Sequence, residues 1–360
     1  MQQEQGQSNV ANTPRPGVLL IGNFFSGGSG TRAVGQDLAA ALKTSGWPVF
    51  MSSSRHGRVA RLLDFLLTVW LHRNRYHVAH VDVYSGHAFV WAELVCWALR
   101  RMNKPYVLTL RGGNLPAFAQ RTGKRVPRLL QSSPVVTTPS AYLFEQMRPY
   151  RRELVLLPNP LDLPKYSFRH RNRPTPKLVW LRAFHDIYEP SLAVRVVANL
   201  AQDFPDIRLT MMGPDKGDGS HEATKKLALK LGVAERLTWT GPVSKAEIPR
   251  LLQQGDIFLN TPRVDNTPVS VLEAMACGLC IVSTNVGGIP YLLDDEGDAL
   301  LVPAGDDAAM AKAITRFLTE DSLAERLSRN ARRKVEQCDW STILPQWERL
   351  FTNIAERRTA

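Results

Sequence analysis

Residues Asp256–Gly288 read DIFLNTPRVDNTPVSVLEAMACGLCIVSTNVGG. A short apolar run, Ile257–Leu259, enters a polar loop; a helix-forming segment follows, and a second apolar run ends at Gly287-Gly288. The pattern predicts strand, loop, helix, strand, the repeating unit of a parallel α/β sheet. Thr267 suits an N-cap, Pro268 the first helical position and Gly278 the residue just past the helix end. A helix starting there offers unpaired N–H groups and a positive dipole end to a phosphate. Asp265 stands before the helix and Glu273 inside it, eight positions on. An anion cradle flanked by carboxylates can hold a phosphorylated sugar, the dipole taking the charge and the acids accepting from hydroxyls. A plainer account stays open: any buried strand–helix–strand unit shows part of this pattern. A helix with Val269, Leu272, Met275 and Ala276 inward needs no ligand.

The chain around this stretch has 360 residues, enough for two domains with their own cores. A hydrophobic share of 44% with 22% charged residues fits a soluble globular protein. Residues 1–16 are polar and are expected to form a disordered tail without a signal peptide. No apolar run approaches the roughly 20 residues of a membrane span. Four cysteines, Cys96, Cys277, Cys280 and Cys338, fit a reducing compartment. The C-x-x-C of Cys277 and Cys280 lacks the second ligand pair that a zinc site requires, so both read as packing residues at a helix end. The net charge of +12 is uneven: residues 1–173 carry +15 and residues 174–360 carry −3. A basic first half implies an anionic partner, namely a membrane surface, an acidic lipid or sugar, or nucleic acid. The basic residues lack the interleaved aromatics of an RNA-binding motif, which argues against nucleic acid.

Taken in order, Val18–Gly22 reads as a first buried strand, and Asn23–Thr31 as a glycine-rich loop before a helix over Ala33–Thr44. Gly27, Gly28 and Gly30 there permit close backbone approach to a ligand, or simply a tight turn. Arg55–Arg75 has an apolar centre nearly all round, with Arg at both ends. A helix buried between sheet and neighbours explains it most simply, and a helix touching lipid is the sharper alternative, given Trp70. Strands follow at His77–Val83 and Tyr106–Leu110; the second ends in Arg111-Gly112-Gly113-Asn114, at a carboxyl end where open α/β sheets place ligands. Arg121, Lys124, Arg125 and Arg128 form a solvated or anion-binding face. Asp162–Lys177, rich in Arg and Pro, reads as a linker, after which strand–helix alternation restarts at Leu178. Two such series predict two parallel-sheet domains. A helical tail with Trp340, Trp347 and Phe351 packs back on one of them.

These residues resemble the retaining GT-B glycosyltransferases, the large family 4 type that includes bacterial mannosyl- and N-acetylglucosaminyltransferases. The resemblance spans Gly17 to about Ala355. Its most specific part is DNTPVSVLEAMACGLCIVSTNVGGIP, which is similar to the family's acid-x7-Glu motif with Asp265 where Glu is usual. The glycine-rich loop, PNPLD, the strand–Gly–Pro segment at Met212 and LTWTGPVSKAEIPRLLQQGDIFLNTP add to it.

The resemblance implies an α/β GT-B fold, two Rossmann-like domains facing across a cleft. Residues 17–161 would bind the acceptor, 162–177 would link, 178–336 would bind the nucleotide-sugar, and the helix of 337–360 would return to the first domain. It implies that Glu273 contacts the ribose, Asp265 the donor sugar's hydroxyls and Arg182 the phosphates. Asn266, Thr267, Pro268 and Val243 would lie on the donor side, with Gly27 and Gly28 approaching from the opposite domain. Arg111, Gly112, Asn114 and His80 would lie on the acceptor or sugar side. The donor would be a UDP- or GDP-linked sugar and the acceptor lipid-linked or a polysaccharide. The expected location is cytoplasmic, with an anionic inner membrane face as a further partner. With no Asp-x-Asp triplet in the chain, neither an essential metal nor another cofactor is expected.

The chain departs from the family twice. RAFHDIYEP lacks the lysine usual about five residues after the arginine, and Arg111 stands where a histidine is frequent. His185, or an arginine from elsewhere, is the candidate substitute for that lysine. Two other function classes compete: a GT-B nucleotide-sugar epimerase, and a non-catalytic basic binding protein on a degenerate fold.

Overall fold

The computed structural model describes residues 15–22, 34–52 and 57–357. Gly27 and Gly28 lie outside them. Among the described residues the chain forms two six-stranded sheets, every strand pairing parallel to its neighbours.

The first domain runs β1 (Val18–Ile21), α1 (Val34–Thr44), β2 (Val49–Ser52), α2 (Arg58–Leu71), β3 (Val78–Val83), α3 (His87–Arg101), β4 (Tyr106–Leu110), α4 (Leu115–Thr122), α5 (Arg125–Gln131), β5 (Val135–Thr138), α6 (Ala141–Met147) and β6 (Val155–Leu156). Its strand order is β2-β1-β3-β4-β5-β6. The second runs β7 (Lys177–Leu181), α7 (Pro190–Leu200), β8 (Arg208–Met212), α8 (Ser220–Lys230), β9 (Leu237–Gly241), α9 (Ile248–Leu252), β10 (Ile257–Asn260), α10 (Val269–Cys277), β11 (Cys280–Thr284), α11 (Ile289–Leu292), β12 (Leu300–Val302), α12 (Asp307–Thr319) and α13 (Leu323–Glu336). Its order is β12-β11-β10-β7-β8-β9. Strands such as VLLI, IFLN and CIVST are buried throughout, because helices cover both faces of each sheet.

A last helix, α14 (Trp340–Glu356), returns to the first domain. Ile343, Trp347, Phe351 and Ile354 join Val18, Leu20 and Val78 of the sheet and Leu38 and Leu42 of α1 in one core. Full burial of side chains this size contributes roughly 2–3 kcal/mol each. The two chain crossings between domains are stitched together: Leu161 N donates to Cys338 O (2.8 Å) and Trp340 N to Leu161 O (3.2 Å).

The segment read as a linker is firmly held against the second domain. Arg171 is 2% exposed and donates to the Cys277 and Gly255 carbonyls. Thr175 binds Asp256 through both its N–H (2.9 Å) and its hydroxyl (2.6 Å). Cys277 and Cys280 are fully buried, and burial pushes both thiols up to about 12, consistent with packing residues.

The simplest reading of α2 does not hold. Val59, Leu63, Leu67, Trp70 and Leu71 are exposed, while the opposite side of the helix, with Phe65 and Val69, is buried. Val90, Leu94 and Trp97 of α3, which packs beside α2, are exposed as well. An all-apolar helix pattern is the same whether its outer face meets protein or something else, so periodicity could not separate the two.

Candidate active site at the domain interface

In the second sheet the strand order reverses between β7 and β10, which opens a crevice outside their carboxyl ends. The two chain segments leaving those ends carry Arg182 and Asp265, and the side chains meet there as an ion pair, Arg182 Nη2 on Asp265 Oδ2. The guanidinium lies 4.5 Å from the ring centre of Tyr188. Burial lowers its pKa from the usual arginine value. Gly213 lets β8 end this close by: a Cβ there would stand 1.8 Å from the Arg182 carbonyl oxygen, and its φ of 143° is open to glycine alone in practice.

From Asp265 the chain turns into α10. The helix begins one residue later than Thr267 as cap and Pro268 as first residue would put it. Pro268 itself is the N-cap residue, in extended conformation (φ −68°, ψ 120°), and no side chain caps the first turn. Thr267 therefore leaves the leading N–H groups open, the condition an anion site needs. Gly278 closes the helix in the left-handed conformation as expected. The loop is clamped from behind by Gly288, whose N–H donates to Asp265 O (2.9 Å); a Cβ on Gly288 would lie 2.0 Å from Asn266 O.

Glu273 is 4% exposed and accepts from the Tyr166 hydroxyl at 2.9 Å. Burial pushes its carboxyl up to about 7, against the pull of Tyr166, Lys245 and Arg182. Arg182 Nε and Ser270 Oγ, the latter in the first turn of α10, are buried without a hydrogen-bond partner. Buried polar atoms are nearly always paired, so unpaired ones at a crevice are what a polar ligand satisfies. Val243, after β9, packs against the core that includes Val271, Leu272 and Met275 of α10.

The first domain supplies the facing wall. Gly113 comes so near Asn266 that a Cβ on it would lie 3.2 Å from the Asn266 Cβ, and Ser140 Oγ hydrogen-bonds Asn266 Oδ1. Tyr142 and Tyr291 meet edge-on at 5.6 Å. Gly112 is half-buried beside Ser85, and Asn114 is exposed at the start of α4. Arg111 is engaged within its own domain and the crossing: Nε donates to Asp82 Oδ1 (2.9 Å) and Nη1 to Asn159 Oδ1 (3.0 Å). Asp82 and Tyr84 offset the burial of this guanidinium and raise its pKa. His80 is placed differently from the acceptor-side reading. It is 1% exposed, hydrogen-bonded to Thr109 Oγ1 (2.7 Å), with Trp347 of α14 edge-on at 5.3 Å. Burial holds its pKa down at about 4, so it is a neutral core side chain. The alternation of a β strand turns every second residue inward, and nothing local in HVAHVDV tells which face α14 covers.

Sequence reading missed three members of this neighbourhood. Tyr166 meets Glu273 across 107 positions, and Lys245 pairs with Asp37 of α1 across 208. Among the described residues no cluster of three His, Cys, Asp or Glu side chains is arranged to hold a metal ion.

Residues 168–334, which contain the crevice, match the family described as glycosyl transferases group 1. The match takes in a little under half of the chain. The matched segment carries Arg182, Lys245, Asp265 and Glu273 together. The chain is 26% identical to the phosphatidyl-myo-inositol mannosyltransferase of Mycobacterium leprae, over 83% of this chain and 81% of the relative. It is 26% identical to the D-inositol 3-phosphate glycosyltransferase of Salinispora tropica, over 58% of this chain and 43% of that one. The chain spans less than half the length of most of the curated relatives it matches, 36% of the D-inositol 3-phosphate glycosyltransferase of Streptomyces avermitilis for example. In fold it matches the sucrose-phosphate synthase of Thermosynechococcus elongatus with a TM-score of 0.78 at 18% identity, covering 94% of this chain and 99% of the other. Anabaena HepE, solved with UDP and glucose, matches with a TM-score of 0.75 at 15% identity, covering 94% and 100%. The fold is thus GT-B, two Rossmann-like domains.

Proposed function

We propose that the protein transfers a sugar from a UDP- or GDP-linked donor to a lipid-linked or polysaccharide acceptor, with retention of anomeric configuration. The observation that carries this reading is the crevice itself. One buried arginine, two carboxylates and an uncapped helix start converge where the second sheet reverses direction, facing the loops of the first domain. In this reading the N–H groups of α10 and Arg182 take the diphosphate, Glu273 takes the ribose hydroxyls and Asp265 the sugar. The bond between the anomeric carbon and the phosphate oxygen breaks, the acceptor oxygen bonds to that carbon on the same face, and the departing phosphate takes the acceptor's proton. Catalysis is then positioning plus stabilisation of charge on the leaving diphosphate.

The deciding measurement is a thermal-shift screen against UDP- and GDP-sugars, followed by analysis of the transfer product. A matching donor raises the melting temperature, by more the tighter it binds, and the product keeps the donor's α or β configuration. Stabilisation by no nucleotide-sugar, or a product of inverted configuration, defeats the corresponding half of the proposal. Donor incubated without acceptor and recovered as its isomer would favour an epimerase instead.

The acceptor is read as lipid-linked because of the α2–α3 surface. Trp70 and Trp97 are 54% and 53% exposed. Arg73 lies over the first at 4.5 Å and Arg101 over the second at 5.6 Å. Two exposed apolar stripes edged by arginine–tryptophan pairs, in the basic half of the chain, match an anionic bilayer surface. No helix among the described residues is long and apolar enough to cross a membrane, so the contact proposed is peripheral, at the cytoplasmic face. Vesicles containing phosphatidylglycerol should float the protein at low salt and release it at high salt. Replacing Trp70 and Trp97 together by alanine should weaken binding about tenfold or more. Absence of flotation at low salt would sink the membrane reading.

A further inference from the structure

Resting on the donor-site reading above, we propose that Lys245 supplies the second positive charge for the donor's diphosphate and that Asp37 holds its place until the donor arrives. The chain has no lysine in the segment RAFHDIYEP after Arg182, and Tyr188 there lies against the guanidinium instead. A single arginine faces a ligand group carrying two negative charges, and that arginine is already shared with Asp265. Lys245 enters from another direction, on the turn between β9 and α9 that starts at Val243 on the flank of α10. It forms an ion pair with Asp37, in the first turn of α1 in the opposite domain. Both side chains are partly exposed, 35% and 26%, so the pair lines open space rather than core. Lys245 also draws the Glu273 carboxyl toward its ionised form, together with Arg182, which places both cations in one electrostatic neighbourhood.

An internal carboxylate bound to a cation at an anion site is a competitor for the incoming anion. Donor phosphate would replace Asp37 on Lys245, and the freed Asp37 would return to water at the cleft mouth. Opposite signs for the two partners follow from this. A clasp that merely held the domains together would give the same sign for both.

The test titrates UDP and GDP, and uridine and guanosine as controls, into the full-length parent and into Lys245→Gln, Lys245→Arg and Asp37→Asn. The nucleoside diphosphate that binds the parent should bind Lys245→Gln about tenfold more weakly, since a charge-assisted contact is lost. Lys245→Arg should recover most of that, Asp37→Asn should bind about threefold more tightly than the parent, and nucleoside affinity should not change. Melting temperatures of the unliganded variants report whether each is folded. Equal diphosphate affinity of Lys245→Gln and parent overturns the proposal, as does equal weakening by Lys245→Gln and Asp37→Asn. Failure of the parent to bind either diphosphate overturns the donor reading beneath it as well.

Discussion

Arg182→Ala is expected to lower turnover about 10²–10³-fold, the scale of losing one preorganised charge at a developing anion. Three features concentrate the effect in this side chain. It is buried, so its field is little screened. Tyr188 and the Gly213 turn hold it in place at the reversal of strand order. Its Nε has no protein partner to give up when a phosphate oxygen arrives. The loss should fall on kcat more than on KM, because charge on the diphosphate grows as the sugar departs. Steady-state kinetics against the donor found by screening would show it, with melting temperatures checking that the variant is folded. Turnover within about threefold of the parent would remove Arg182 from the chemistry.

Glu273→Gln should separate stability from function. Burial pushes the native carboxyl up to about 7, above the ordinary 4.5 of glutamate. Folding therefore favours its protonated form. The stabilising contribution of this group is complete below about pH 4.5, declines as pH rises and is gone above about pH 7. Glutamine is the permanent mimic of the protonated state and still accepts from Tyr166. The variant should match the parent near pH 4 and exceed it in unfolding free energy at pH 8, by up to about 3 kcal/mol. Donor affinity should move the other way, falling about tenfold or more at pH 8, since a neutral amide accepts more weakly from ribose hydroxyls than a carboxylate does. In the parent, donor binding should weaken as pH drops below about 7, and the variant should lack that slope. Chemical denaturation and donor titration at several pH values measure both. A glutamine variant that is no more stable at high pH, or that binds donor normally, would contradict the burial argument or the ribose role respectively.

The parts of this molecule legible in sequence are those whose physics is local. Strand–helix alternation, the glycine ending α10 and the spacing of Asp265 and Glu273 all arise within a few turns of chain. The first and last of these point, from residues alone, to the crevice between β7 and β10. Contacts made by topology were hidden. Nothing near Tyr166 announces Glu273, and Lys245 and Asp37 each look like ordinary surface charges until the two sheets face each other. His80 illustrates the same limit in reverse, since only the return of α14 makes it a core residue. Arg111 stands at the carboxyl end of a strand, as its sequence position said, yet its hydrogen bonds go to Asp82 and to the interdomain crossing at Asn159.

That returning helix bears on how the chain is made. The core between the first sheet and α1 is completed by Ile343, Trp347, Phe351 and Ile354, so the first domain, made before the second, lacks one of its walls until α14 has left the ribosome. The second domain, whose elements from β7 through α13 are contiguous, has all its strands and helices available earlier. Domains generally fold as units during synthesis, the N-terminal one first. For this chain that order is reversed: the second domain closes while the first still waits for the seventeen residues of α14.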